Sequence, residues 1–237
     1  MTATLGVLGG MGPAATAEFL RLLALRVPAR TDQEHPRIVL LSEPSVPDRT
    51  DALLAGEDTP LRPIREGLRT LVGWGADLLA VPCNTAHVFI DRISAQLPVP
   101  VVHIVDATLR AARRASPAGA WLTATTGTVT SGLYQERAAS LGYPLLVPDE
   151  PLQHRIHRAA SLVKANRTPE GGEEFADAVS LLWRRDRRPV VTACTELPIA
   201  YTAAGLPPES TVSSLDALAT ACAEELYRAA APLRIAV

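Results

Sequence analysis

Two rhythms alternate along this chain. Short apolar runs are followed by longer stretches in which apolar positions recur every three or four residues. Residues 4–8 form an apolar run closed by Gly9 and Gly10, and residues 14–27 then carry helical spacing. Residues 38–41 predict a second strand and residues 61–72 a second helix. Residues 77–81 read as a strand running into Pro82 and Cys83, a helix follows from His87, and residues 99–105 predict another strand. The pattern then restarts. Residues 120–123 predict a strand and residues 125–128 a polar turn. Helical spacing covers residues 131–141, 153–165 and 173–184; a strand at 189–193 ends at Cys194, and a last helix fits residues 215–230.

Strand and helix in alternation, with apolar strands, predict an α/β fold of mostly parallel sheets flanked by helices. The halves echo one another. LGVLGGMGP and AWLTATTGT are both strands that end in small residues, and each is followed at a comparable distance by a strand ending in cysteine, VPCNT and TACTE. The echo predicts two pseudo-symmetric lobes, residues 1–106 plus 212–237 carrying Cys83 and residues 107–211 carrying Cys194. Ligands of open α/β sheets sit at the carboxyl ends of the strands, so the active site is expected in the cleft between the lobes, with one cysteine on each side.

Composition narrows the function. The 237 residues are 47% apolar and 20% charged, enough for one substantial core or two small ones. A net charge of −2 and 4% aromatics give no case for nucleic acid or an anionic membrane surface. The opening MTATLGVLGGMGP lacks a basic segment and breaks at Gly9, unlike a signal peptide. No apolar stretch approaches the ~20 residues that span a bilayer, so a soluble, cytoplasmic protein is expected. Cys83, Cys194 and Cys222 are too few, and odd in number, for a disulfide framework. No spacing suggests a metal site.

Chemistry concentrates at the two strand-end cysteines. Cys83-Asn84-Thr85 offers a thiol, an amide and a hydroxyl at one turn, with backbone N–H groups near a helix start that favour an anion and can lower a thiol pKa. Cys194-Thr195-Glu196 repeats the arrangement with a carboxylate. A single cysteine in either place would read as a small buried apolar residue; two at matching positions read as a functional pair. Cys222, inside an alanine-rich helix, reads as structural. Two thiols across a cleft suit general acid–base catalysis in which one is thiolate and the other thiol. Glu196 either tunes Cys194 or meets a substrate ammonium, and His87 either orients Cys83 or packs its helix. His35, His103, His154 and His157 read as structural.

Six segments then occur in one order: GGMGPAAT at residues 9–16, TDQEH at 31–35, PDRT at 47–50, PCNTAH at 82–87, TGTVTSGLYQ at 126–135 and CTELP at 194–198. With them the chain resembles the aspartate/glutamate racemase superfamily, and most closely its aspartate racemase branch. The cell-wall glutamate racemases differ, with a DSGxGG opening and CTH in place of CTE. The resemblance implies racemisation of an acidic amino acid, aspartate foremost, without pyridoxal phosphate or any other cofactor. It assigns Cys83 and Cys194 as the acid–base pair and implies a homodimer. It also implies that Arg49 of PDRT and a distant lysine, here Lys164, hold the substrate's side-chain carboxylate. Lys164 carries its own signal as the one lysine among 23 basic residues. Met11, Asn84, Thr85, Thr126, Thr195 and Glu196 complete the expected substrate contacts. Where the family has an aspartate after its last short strand, this chain has Ser213. Other reactions on the same scaffold remain open: a maleate-type isomerisation, a hydantoin racemisation, or non-catalytic binding of an acidic metabolite. A decarboxylation, which needs one thiol, fits the pair less well.

Overall fold

The computed structural model describes residues 3–228. In the first half β1 (Leu5–Gly9), α1 (Pro13–Arg26), β2 (Ile38–Ser42), α2 (Arg49–Ala55), α3 (Leu61–Gly73), β3 (Leu78–Ala80), α4 (His87–Ile90), β4 (Val101–Val102) and α5 (Ile104–Ala115) follow in order. The second half holds β5 (Ala120–Thr123), α6 (Thr126–Thr130), α7 (Leu133–Ser140), β6 (Leu145–Leu146), α8 (Glu150–Lys164), α9 (Thr168–Arg185), β7 (Val190–Thr192), α10 (Leu197–Ala203), β8 (Thr211–Ser213) and α11 (Ser214–Arg228). They build two four-stranded parallel sheets, ordered β2-β1-β3-β4 and β6-β5-β7-β8. The orders correspond strand for strand: β5 takes the place of β1, and β7 that of β3. The α/β fold of two similar parallel sheets is therefore as the sequence predicts.

The central strands β1, β3, β5 and β7 are buried along their whole length, because helices cover both faces. Strand β2, at a sheet edge, alternates exposed and half-buried residues. One apolar cluster runs through both lobes, from Leu5 and Phe19 through Ile104 to Leu122, Tyr134 and Leu218. Helix α11 packs on α1 and α5, while β8, just before it, pairs with β7. The lobes thus share a core, which holds the two sheets' carboxyl ends in fixed relation. The turn leaving β1 requires glycine at residue 10: φ is +90°, and a Cβ there would stand 2.5 Å from the backbone nitrogen of Glu43.

Several elements depart from the pattern reading. Residues 99–105 hold a two-residue strand and then the start of α5, whose IVDATLRAARRA is amphipathic and buries Ile104, Val105, Thr108 and Leu109. Residues 125–128 are the entry to α6 rather than a turn alone. Helices α2 and α10, which are seven residues each, and β6, which is two, are too short to show periodicity. Residues 229 and 230 of the expected final helix lie outside the described residues.

Candidate active site

Cys83 follows β3 and Cys194 follows β7, at equivalent positions of the two sheets. Both line one cavity together with Met11, Arg49, Asn84, Thr85, Lys164, Thr195 and Glu196. Thr126 is the one expected contact outside it. Its backbone N–H donates to His157 Nδ1 at 3.1 Å, and Thr125, in extended conformation before α6, faces the cavity instead. Asp48 and Thr50 also line it.

The first thiol is held from behind. His87, fully buried, lies 2.9 Å through Nδ1 from the Cys83 carbonyl, and its Nε2 accepts from the Ile104 N–H at 3.4 Å. A carbonyl can only accept, so Nδ1 carries the proton. Burial, with help from neighbouring His103, pushes the imidazole pKa down to about 3, which keeps the ring neutral. The amide of Asn84 is braced on both sides: Nδ2 donates to Ser214 Oγ at 3.0 Å and Oδ1 accepts from the Tyr134 hydroxyl at 2.6 Å. Thr85 of the first lobe meets Thr125 and Thr128 of the second through hydroxyls at 3.2 and 2.8 Å. These buried contacts tie the two lobes together beside the thiols.

The second thiol is set differently. Cys194 Sγ donates to Glu196 Oε2 at 3.1 Å, which also accepts from Thr195 Oγ1 at 3.2 Å. Glu196 is 2% exposed, so the carboxylate is part of the site and not a solvated group on the first turn of α10. Its other oxygen, Oε1, is buried with no partner among the described residues. Burial, then the Glu196 charge, raise the Cys194 pKa well above the ordinary thiol value, while Lys164 pulls the other way. The expected lowering by a helix start therefore does not hold for Cys194. Desolvation and a like charge 3.1 Å away outweigh any dipole from a helix as short as α10.

A family model described as Asp/Glu/Hydantoin racemase matches residues 8–226. The chain belongs to the Asp/Glu/hydantoin racemase family. It is similar to the aspartate racemase of Picrophilus torridus, with 27% identity and a TM-score of 0.82 over 96% of this chain and 94% of that one. It is 28% identical over 204 residues to the broad specificity amino-acid racemase RacX of Bacillus subtilis (strain 168), covering 81% of this chain and 85% of that protein. The glutamate racemase isoform RacE1 of Bacillus anthracis shares the fold, with 17% identity and a TM-score of 0.70 over 96% of this chain and 82% of that one.

On this racemase fold the two cations of the cavity stand in unlike surroundings. Arg49 opens α2 and is nearly buried. Its guanidinium donates to the carbonyls of Val46 and Pro47, each at 3.2 Å, and of Met11 at 3.4 Å, while Nε is buried with no partner among the described residues. Burial opposes its charge, but Cys83, Asp48 and Glu196 more than offset it, so its pKa is raised. Lys164 ends α8, with its side chain 34% exposed and Nζ 3.9 Å from Asp48 Oδ2. Burial again works against the charge, and Glu196, Cys194, Asp48 and Cys83 together outweigh it. Asp48, Thr50 and Thr125 are the cavity residues that sequence reasoning missed. An N-cap signal was available for Asp48, an aspartate just before a helical stretch, but the brevity of α2 hid it. Ser213 accepts from the Asp216 N–H at 3.2 Å and so caps α11. Among the described residues no group of three or more His, Cys, Asp or Glu side chains is placed to hold a metal ion, and no helix is long and apolar enough to cross a membrane.

Proposed function

We propose that this protein interconverts the L- and D-forms of an acidic amino acid, aspartate foremost, with Cys83 and Cys194 as the two acid–base groups. The observation that carries the reading is that the two cysteines, at equivalent strand ends of two similar lobes, line one cavity together with Arg49 and Lys164. One thiolate removes the Cα proton. The electron pair left on Cα delocalises into the α-carboxylate, and the opposite thiol delivers its proton to the other face. The enzyme then holds the reverse protonation state and is ready for the other enantiomer. Fixed donors stabilise the carboxylate of the carbanion-like intermediate. The braced Asn84 amide and the backbone N–H groups that follow each cysteine suit that role. Arg49 and Lys164 would receive the side-chain carboxylate, which orients the Cα–H bond between the thiols. No step of this chemistry calls for a cofactor. The aspartate racemase of Picrophilus torridus and the broad specificity RacX, both similar along most of this chain, support the reaction class.

The test is a chiral assay of L- and D-aspartate in D2O, on protein dialysed against EDTA and given no cofactor. Racemisation from both enantiomers with deuterium entering at Cα is the expected result. Absence of exchange, or activity that returns only with added pyridoxal phosphate or metal, would overturn the proposal.

A further inference from the structure

We propose that Glu196 holds the substrate's α-ammonium group: one carboxylate oxygen, Oε2, accepts from Cys194 and Thr195, and the other, Oε1, accepts from the ammonium of the bound amino acid. This rests on the racemase reading above and names a contact within it.

Three observations carry it. First, Glu196 is 2% exposed, and its two oxygens are unequally served. Oε2 accepts from Cys194 Sγ at 3.1 Å and from Thr195 Oγ1 at 3.2 Å, while Oε1 has no partner among the described residues. A buried carboxylate oxygen without a donor is costly, and a ligand that brings a donor removes the cost. Second, the other charged groups of the cavity are engaged with one another or with backbone. Lys164 Nζ lies 3.9 Å from Asp48 Oδ2, and Asp48 Oδ1 accepts from the N–H groups of Thr50 and Asp51. The Arg49 guanidinium is turned to the carbonyls of Met11, Val46 and Pro47. Third, Glu196 lines both the thiol cavity and the space outside it that Gly10, Gly12 and Pro44 help to wall. A Cβ at Gly12 would lie 3.0 Å from Oε1, so glycine keeps side-chain atoms off this oxygen. The three polar groups of aspartate then have separate places: the α-carboxylate at Asn84 and the backbone N–H groups, the side-chain carboxylate at Arg49 and Lys164, and the ammonium at Oε1. Holding these three leaves the Cα hydrogen to the thiols. The ammonium also brings a positive charge beside Cys194, which offsets the like charge of Glu196 when that cysteine is the base.

The test compares L- and D-aspartate with succinate, which keeps both carboxylates and lacks the ammonium. Calorimetric affinities are taken for the full chain and for Glu196→Gln. Wild type should bind aspartate more tightly than succinate. Glu196→Gln should weaken both aspartate enantiomers by about tenfold, the worth of one charge-assisted hydrogen bond, and should bind succinate as well as wild type does or better. A carboxylate that only tunes Cys194 would move the pH profile and leave the aspartate-to-succinate ratio alone. Gly12→Ala, which crowds Oε1 without touching its charge, should lower the same ratio, and it decides the matter if thermal melting shows Glu196→Gln to be unfolded. A wild type that binds aspartate no better than succinate, or equal effects of Glu196→Gln on both ligands, would overturn the proposal. Failure of the racemase reading alone would look different: the preference for aspartate and its loss in Glu196→Gln would remain, while no deuterium entered at Cα.

Discussion

Lys164→Met is the cleanest probe of how the substrate's side chain is held. Methionine keeps the length and apolar stem of lysine and removes the charge. Among the described residues Lys164 makes one ion pair, at 3.9 Å with Asp48, and its side chain is one-third exposed. Such a pair is worth at most about 1 kcal/mol to stability. At ~2–4 °C per kcal/mol for a chain of this size, the melting temperature should move by less than about 4 °C. Catalysis should suffer more. A charge-assisted hydrogen bond to a substrate carboxylate is worth ~1.5–3 kcal/mol. Exposure and competition from Asp48 place this one at the lower end. At 1.4 kcal/mol per decade, kcat/KM for aspartate should fall by about one decade, while that for alanine changes by less than about twofold. Both rates follow from chiral chromatography of timed aliquots, and stability from thermal melting of the same samples. Equal losses on the two amino acids would refute the clamp. Arg49 is the poorer probe, because its guanidinium also ties together the carbonyls of Met11, Val46 and Pro47, so Arg49→Ala confounds substrate binding with loss of the loop.

Cys83→Ser and Cys194→Ser should each abolish racemisation, yet each should still exchange the Cα proton of one enantiomer in D2O, and the two variants should favour opposite enantiomers; full racemisation by either removes that cysteine from the mechanism. Glu196→Gln should move the basic limb of the kcat/KM pH profile to lower pH. The carboxylate helps raise the Cys194 pKa, the basic limb reports loss of the Cys194 proton, and removing the charge lets that proton leave earlier; a shift to higher pH would contradict the argument. His87→Asn retains a donor where Nδ1 stands and should keep most activity, whereas His87→Phe should lose it through a misplaced Cys83, seen as a fall in kcat with little change in KM. Because the His87 pKa lies at about 3 in the folded chain against an ordinary 6.5, the unfolded chain takes up a proton that the folded chain refuses. Stability is then lost as pH falls from 6.5 toward 3, by up to about 1.4 kcal/mol per pH unit, and His87→Asn should flatten that slope in denaturant titrations.

Much of this arrangement is legible in the chain because it is local. Parallel strands buried on both faces must be apolar along their whole length, so LGVLG, DLLAV and VVTA stand out. The residue that follows such a strand lies at the sheet's carboxyl edge, which is why Cys83 and Cys194 can be paired before any coordinates. What escaped is either short or decided by packing. Helix α10 is seven residues long, with Pro198 in its first turn, where a missing N–H costs nothing. The burial of Glu196 depends on β1's turn closing over it: a Cβ on Gly12 would lie 3.0 Å from Oε1. Nothing near residue 196 encodes that. Thr125 and Thr126 differ by one step at a helix entry, and only the φ and ψ angles reached there decide which hydroxyl faces Thr85.

The two lobes match in strand order but not in what surrounds their thiols, and this difference has a kinetic consequence. Cys83 shares the cavity with Arg49, and its carbonyl is tied to a neutral imidazole; Cys194 donates its proton to a carboxylate. On the proposed mechanism the resting enzyme is therefore biased toward a proton on Cys194, and it meets the two enantiomers unequally prepared. Racemisation of a free amino acid has an equilibrium constant of unity in water, so kcat/KM must be the same in both directions whatever the protein does. The bias can appear only as unequal kcat values offset by equally unequal KM values. Glu196 is the group that breaks the symmetry most directly. If it is the source, Glu196→Gln should draw the two kcat values together and the two KM values with them, in the same proportion. If the two kcat values of Glu196→Gln stay as far apart as those of the wild type, the asymmetry has another source than this carboxylate.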